Sequence, residues 1–284
     1  MRILVTGAAG LIGSAVAARL RQDNHVIGLD LRPGPEVGIL GDCREVMKWR
    51  HQAGALDAIV HVAALHAPHV GRVPDEEFRR VNVEATSCLI DLALSLGCSH
   101  FVLTSTTSLY GDALEPRGAA AWIDETTVAS PRDIYDETKL EAEQLLTSAG
   151  GGFSGATALR MSRCFPEPAG AMAWYRLHRG VDRRDVAEAH ALALGRAGAP
   201  ACFLVSAATP FFRSDCDGLF EDASAVIERR CPGLIGRMTE RGWAPPHSIG
   251  RVYDCGLARR ELGYRPRFGV ESCLAGDWDP LPSL

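Results

Sequence analysis

The chain has 284 residues, with 35 acidic side chains against 30 basic ones, a formal net charge of −5 and 46% apolar residues. A compact chain of this length buries roughly 75% of its unfolded-state surface, so its core needs no disulfide staples. The acidic balance lacks the basic excess that a nucleic-acid backbone demands, and the ordinary apolar and charged fractions exclude disorder and fibrous architecture.

Only Lys48 and Lys139 are lysine; the other 28 cations are arginine, so a lysine here is an exception that needs a reason. The nine cysteines are scattered, odd in number and without a Cys-x-x-Cys pair, which reads as free thiols in a reducing compartment. His66 and His69 stand three apart with no third ligand nearby, so no metal is expected. The first 18 residues mimic a secretory signal, but Gly7, Gly10 and Gly13 would break its apolar helix. With no apolar run near 20 residues, the sequence reads as a cytoplasmic protein with no membrane partner.

In chain order, short apolar runs at 3–6, 26–30, 39–40, 58–62, 101–105 and 157–159 predict buried parallel strands. Amphipathic patterns at 11–21, 44–52, 76–96 and 135–148 predict helices between them. In the third of these, Val81, Ala85, Cys88, Leu89, Leu92 and Leu96 recur at helical spacing. Strand and helix in alternation predict an α/β fold with a doubly wound parallel sheet. Beyond residue 160 proline, glycine and arginine become denser, and 202–206 is the last convincing strand, expected to rejoin the sheet. The expected division is a dinucleotide-binding domain at 1–160 and a small lobe at 161–284.

Three motifs carry chemistry. Thr6-Gly7-Ala8-Ala9-Gly10-Leu11-Ile12-Gly13 joins the first strand to the first helix. Its glycines allow a tight turn, a close approach by pyrophosphate and close helix–strand packing. Asp30, ending the second strand, can accept hydrogen bonds from both adenosine ribose hydroxyls and would repel a 2′-phosphate, which favours NAD over NADP. Arg32, two residues on, is the residue that could instead reach a 2′-phosphate. Tyr135 and Lys139 are four apart and share a helix face, where a cation would draw the phenol down toward working pH and make it a general acid and base. Arginine fills that place less well, because its fork is bulkier than a compact ammonium. Finally, the hydroxyl run Thr104 to Ser108, before Leu109-Tyr110-Gly111, follows the strand at 101–105, at the end where doubly wound folds place ligand-binding groups.

Taken in order, the glycine motif, Asp30, His61-Val62-Ala63-Ala64, Asn82, Tyr110-Gly111, Tyr135 with Lys139, and the late Asp185-Val186-Ala187 and Ala258 to Pro266 segments resemble the extended short-chain dehydrogenase/reductase superfamily, its NAD-dependent epimerase/dehydratase group. The resemblance implies a Rossmann fold with a shortened C-terminal substrate lobe. It also implies a catalytic triad of Thr106, Tyr135 and Lys139. Gly7, Gly10, Leu11, Ile12, Gly13 and Asp30 would then hold the cofactor together with Asp42 and Cys43 at the adenine, Ala63 and Ala64 at the ribose, and Asn82, Tyr135 and Lys139 near the nicotinamide. His61 is expected to pack in the core, and Leu65, His66, Thr107 and Arg163 to face substrate.

Departures from the group's pattern narrow the chemistry. Thr107 and Ser108 follow Thr106 where dehydratases carry an acidic pair, so dehydration and decarboxylation lose their expected acid/base. Arg163, in Arg160 to Pro166, replaces an asparagine that contacts substrate diphosphate in the group, with Arg176 and Arg179 as further anion-binding candidates. Only 24 residues separate Arg160 from Asp185, which points to a compact substrate. The expected function is NAD-dependent oxidation of a carbinol carbon in a sugar, sugar acid or nucleotide sugar, with net epimerisation if the ketone is re-reduced on its other face. Net dehydrogenation or ketoreduction of a smaller carbonyl substrate is the alternative, and a non-catalytic NAD-sensing protein the rival from another class. The 76–96 and 135–148 helices are those through which the group often forms a homodimer.

Overall fold

In the computed structural model, residues 1–165 and 167–278 are described, so Pro166 lies outside the description. The strands are β1 (Arg2–Thr6), β2 (His25–Asp30), β3 (Ile39–Leu40), β4 (Ala58–His61), β5 (His100–Thr106), β6 (Ala121–Ile123), β7 (Gly155–Met161), β8 (Gly198–Val205) and β9 (Arg251–Tyr253). Seven of them form one parallel sheet in the order β3-β2-β1-β4-β5-β7-β8. The chain winds outward from β1 through β2 and β3, then returns to place β4 on the other side of β1. That reversal opens a crevice at the carboxyl ends of β1 and β4, the binding position in doubly wound sheets.

Helices cover both faces. On one, α1 (Leu11–Leu20), α7 (Arg183–Leu194) and α11 (Gly256–Glu261) enclose Val16, Leu20, Val186, Ala189, Ala258 and Tyr264. On the other, α2 (Val46–Ala53), α4 (Ala85–Ser95) and α5 (Ile134–Ala149) bury Trp49, Leu89, Ala93, Ala142 and Leu146. β8 pairs with β7 as expected. Because α7 and the stretch around Tyr264 also pack into the sheet's core, residue 160 is not where that core ends. A separate cluster around Trp174, Leu219, Ile227, Leu234 and Met238 is formed largely by α6 (Ala169–Tyr175), α8 (Cys216–Glu221), α9 (Ala223–Arg230) and α10 (Leu234–Thr239). β6 and β9 form a two-stranded parallel ribbon beside it. With three residues each, these strands carry too little alternation to be read locally.

The expected helix at 76–96 has a more specific shape: α3 (Asp75–Phe78), a π-helical stretch at Arg79–Glu84, then α4. The wide turn holds Asn82 inward. Its Oδ1 accepts from Leu65 N at 2.8 Å, while its Nδ2 donates to Leu65 O and to Thr138 Oγ1, both at 3.0 Å. Such π-bulges recur at functional sites. The apolar positions of α4 and α5 face the sheet, and exposed Arg79 bridges Glu137 and Glu141 on the outer side of α5. Among the described residues no helix is long and apolar enough to cross a membrane.

Buried histidines make the fold acid-sensitive. His190 Nδ1 donates to Val186 O at 2.8 Å, which leaves Nε2 to accept from the Thr104 hydroxyl at 2.7 Å, so the ring is neutral. Burial pushes His190 down to about 4, and both His61 and His178 down to about 3. A depressed histidine binds its proton in the unfolded chain before the folded one, so its contribution to stability is complete above pH ~6.5 and is lost as pH falls toward the folded value. The slope is about 1.4 kcal/mol per pH unit for each proton. Replacing His190 by Gln should flatten the pH dependence of urea-unfolding stability between pH 6 and 4.5 by one proton's worth. A slope identical to that of the unsubstituted chain would show that the ring is already charged in the folded state.

Candidate active site

At the crevice, the turn after β1 is too tight for side chains. Gly7 has φ 71°, and a Cβ on it would lie 2.8 Å from Ala63 N; a Cβ on Gly13 would lie 1.9 Å from Gly7 O. Gly10 is the N-cap of α1 and offers no capping side chain, so the first-turn N–H groups of Leu11 and Ile12 are left for an anion. Asp30 ends β2 beside them and is already organised: Ala9 N donates to Oδ2 and Arg32 N to Oδ1, both at 2.9 Å. The Arg32 guanidinium is exposed and stands 4.0 Å from the Asp30 carboxylate.

Behind this turn, Thr6 joins the strands. Its Oγ1 accepts from Val62 N at 3.1 Å and Ala63 N at 3.2 Å, which uses both lone pairs. Its proton therefore goes to His61 Nδ1 at 2.7 Å, making His61 the neutral Nε2–H tautomer. That buried Nε2 has no partner among the described residues. His61 thus packs in the core as expected, and Ala63 and Ala64 line the mouth of the crevice half-buried. Asp42 is taken up differently from the expectation. Arg44 Nη2 meets its Oδ2 at 2.6 Å and Nε its Oδ1 at 3.0 Å, and this pairing holds the Asp42 carboxyl below its ordinary value. Cys43 is buried beside Thr6, and desolvation pushes its thiol up to about 12. Asn82, satisfied on both ends of its amide by Leu65 and Thr138, acts as a brace for the site and has no free polar atom to offer a ligand.

Thr106, Tyr135 and Lys139 come together where β5 meets α5. Asp133 caps α5 by accepting from Asp136 N at 3.0 Å, which fixes the helix start two residues before Tyr135. Thr106 Oγ1 caps the following turn by accepting from Ser108 N at 3.0 Å, and its hydroxyl is near enough to the Tyr135 phenol to draw it downward. The expected lowering of the phenol by Lys139 is not what governs it. Burial pushes Tyr135 up to about 12, opposed by the Thr106 hydroxyl, while burial draws Lys139 down to about 8, opposed by Glu143. Desolvation disfavours the charged form of each, in opposite directions.

The expected substrate residues divide. His66 and Arg163 meet the same aromatic ring, with Phe165 6.2 Å from His66 and 5.2 Å from the Arg163 guanidinium. Arg163 is also paired with Glu167 and faces Tyr175, whose ring carries Arg179 at 4.2 Å. Thr107, expected to face substrate, is buried at 4% exposure on the turn that Thr106 caps. Leu65 has both backbone polar groups bound to Asn82. Arg176 is corrected as an anion binder, since it is buried between Asp182 at 3.3 Å and Phe268 O at 2.8 Å.

Three further residues, Ser105, Glu143 and Arg160, bond to one another next to Thr106 and Lys139. The signal for Glu143 was present in the sequence: Tyr135, Lys139 and Glu143 repeat every fourth position along one helix face.

Residues 3–168 match the family described as the NAD dependent epimerase/dehydratase family. The 3 beta-hydroxysteroid dehydrogenase/Delta 5-->4-isomerase of Mycobacterium tuberculosis is 27% identical over 96% of this chain and 88% of its own. The UDP-glucose 4-epimerase of Corynebacterium glutamicum is 29% identical over 56% of this chain and 50% of its own. A solved UDP-glucose-4-epimerase from Stenotrophomonas maltophila, with bound NAD and formylated UDP-arabinopyranose, shares the fold at a TM-score of 0.71 and 21% identity. That likeness covers 98% of this chain and 97% of that one.

The glycine cradle gives a direct test of the crevice. Gly13→Ala should weaken NADH binding by about tenfold or more, because the added Cβ must displace the Gly7 carbonyl. Gly151→Ala, which meets nothing within 4 Å, should leave binding unchanged. Fluorescence titration of the two variants reads the difference, and equal affinities would place the dinucleotide elsewhere.

Proposed function

Because the chain belongs to the NAD dependent epimerase/dehydratase family and is an enzyme of that NAD-dependent group, we propose that it oxidises a hydroxyl-bearing carbon of a sugar, sugar acid or nucleotide sugar, with net epimerisation when the ketone is kept and turned. The observation that carries the reading is the placement of the Tyr135 phenol beside the Thr106 hydroxyl, with Lys139 one turn further along the same helix. The crevice suits a dinucleotide. The turn excludes any Cβ at Gly7 and Gly13, the open end of α1 suits pyrophosphate, and the Asp30 carboxylate suits ribose hydroxyls and not a 2′-phosphate.

When bound, NAD supplies the hydride acceptor. In our reading the protein's own residues handle the proton. Thr106 holds the substrate oxygen and Tyr135, as phenolate, takes its proton. Lys139 holds the nicotinamide ribose and, as a cation, stabilises that phenolate. A phenol that burial, with Asp136 and Asp133 nearby, raises to about 12 needs positive charge beside it to serve as a base near neutral pH. Leu65, His66 and Arg163 would border the substrate from the β4 and β7 loops. Net dehydrogenation is the second reading, favoured by the hydroxysteroid dehydrogenase relative that matches 96% of this chain. Neither reading requires an acidic pair after Thr106.

Tyr135→Phe should lower turnover by about 100-fold or more while NADH affinity is unchanged. Proton NMR with NAD and a panel of free sugars, sugar acids, nucleotide sugars and 3β-hydroxysteroids, with absorbance at 340 nm followed in parallel, separates the two outcomes. Isomer formed without net NADH identifies an epimerase, and stoichiometric NADH a dehydrogenase. Full turnover by the phenylalanine variant would remove Tyr135 from the chemistry.

A further inference from the structure

Lys139 lies in surroundings that should strip its proton. It is 2% exposed. His61 faces it from β4 and is neutral, so it neither repels nor compensates the lysine charge. Tyr135, on its own helix, is protonated at neutral pH. The acid that acts on it is Glu143, one turn further along α5 and itself only 6% exposed.

Glu143 is held more firmly than a lone buried acid would be. Arg160 Nη2 meets its Oε2 at 2.7 Å and Arg160 Nε its Oε1 at 3.0 Å, a two-point clamp between side chains 12% and 8% exposed. The Ser105 hydroxyl donates to Oε1 as well. The Arg160 guanidinium in turn lies over the Tyr110 ring, 5.0 Å from its centroid. Sheet register explains the meeting, since Ser105 and Arg160 are direct partners on β5 and β7 and so present their side chains to α5 together. The cluster therefore ties three elements into one unit. Ser105 adjoins Thr106 on β5, Glu143 follows Lys139 on α5, and Arg160 fixes both from β7.

Burying an ion pair seldom improves stability over an apolar replacement of similar size, so a clamp of this kind is better accounted for by what it fixes in place. We propose that Glu143 is a positioning residue for Lys139: locked by Arg160 and Ser105, its carboxylate keeps the lysine ammonium charged and aimed at the cofactor side of the site. The inference rests on the reading of Lys139 given above, yet its test needs neither substrate nor turnover.

The composition makes that test clean. With only two lysines, protein carrying 13C-labelled lysine shows two ε-methylene signals, and Lys48→Arg, at an exposed position paired with Glu45, assigns the other to Lys139. Titration of Lys139 should centre near 8 in the unsubstituted chain. Glu143→Gln should move it about one pH unit or more toward acid, whereas Glu143→Asp, which keeps the charge, should hold it near 8. If Glu143→Gln does not fold because Arg160 is left unpaired, the double variant Glu143→Gln/Arg160→Gln removes both charges, and the same acidward movement is expected. An unmoved Lys139 signal in the Gln variant, or in the double variant where that is the one that folds, overturns the proposal. So does an Asp variant that moves as far as Gln, since shape and not charge would then matter. Absence of turnover by the unsubstituted chain, with the titration behaving as described, would instead fault the proposed reaction.

Discussion

One hydroxyl fixes where the crevice opens between β1 and β4. Thr6 stands at the last position of β1 and bonds to three groups of the β4 end: the His61 ring and the N–H groups of Val62 and Ala63. Backbone groups beyond a strand end have no ladder partner, and leaving such a buried donor unpaired costs about 1–3 kcal/mol. By satisfying two of them at once, Thr6 lets β1 and β4 part at a defined residue. Gly7 can then turn away in the left-handed region directly against Ala63. A larger side chain at 7 would collide with that backbone, and a residue without a hydroxyl at 6 would leave the β4 loop unanchored. The crevice is thus a consequence of hydrogen-bond satisfaction at the switch point, and the glycines make room in what Thr6 has already opened.

The same logic extends outward from the crevice. Asn82 ties the backbone of Leu65, just past β4, to Thr138 on α5. Ser105 and Arg160 tie β5 and β7 to Glu143 on that same helix. α5 is therefore held at two points, within the turn that carries Tyr135 and Lys139 and one turn beyond it. Each tie is polar and buried, an arrangement that tolerates little half-satisfaction. The loops that would meet a substrate are built otherwise. His66 is exposed, and Arg163 pairs with its near neighbour Glu167 and rests on aromatic rings. A rigid end around Tyr135 and Lys139 and a more adaptable end at the loops suit a fold in which chemistry is shared across a family and specificity is not.

How much of this was legible in the sequence follows from how local each signal was. The sheet strands at 3–6, 26–30, 58–62 and 101–105 were readable because buried parallel strands are continuous apolar runs, and the glycine motif because each glycine answers a steric demand within a few residues. Tyr135 and Lys139 stood out through their spacing, and Thr106 only through the resemblance to the family. The π-helical stretch at Arg79–Glu84 was not, since its apolar positions fit an ordinary helix and only the distant partners Leu65 and Thr138 favour the wide turn. The β6–β9 ribbon was hidden for the same reason, with partners more than a hundred residues apart. Nor does composition reveal that Thr107 is buried on the turn its neighbour caps, or that Arg176 is buried between Asp182 and Phe268.

The scarcity of lysine takes on a sharper meaning against this structure. Arginine holds its charge in almost any environment, which suits a cation whose task is to clamp, as Arg160 clamps Glu143 and Arg44 clamps Asp42. Lysine gives up its proton when desolvated, so a buried lysine is a cation whose charge its neighbours control. In a chain that otherwise uses arginine, the buried position that holds lysine is one where the charge is adjustable. Its adjustable charge lies one helical turn from a phenol whose own proton is held tightly by burial. Of the two groups the lysine is the one that changes state nearer to neutral pH, and the acid beneath it is fixed by an arginine that does not.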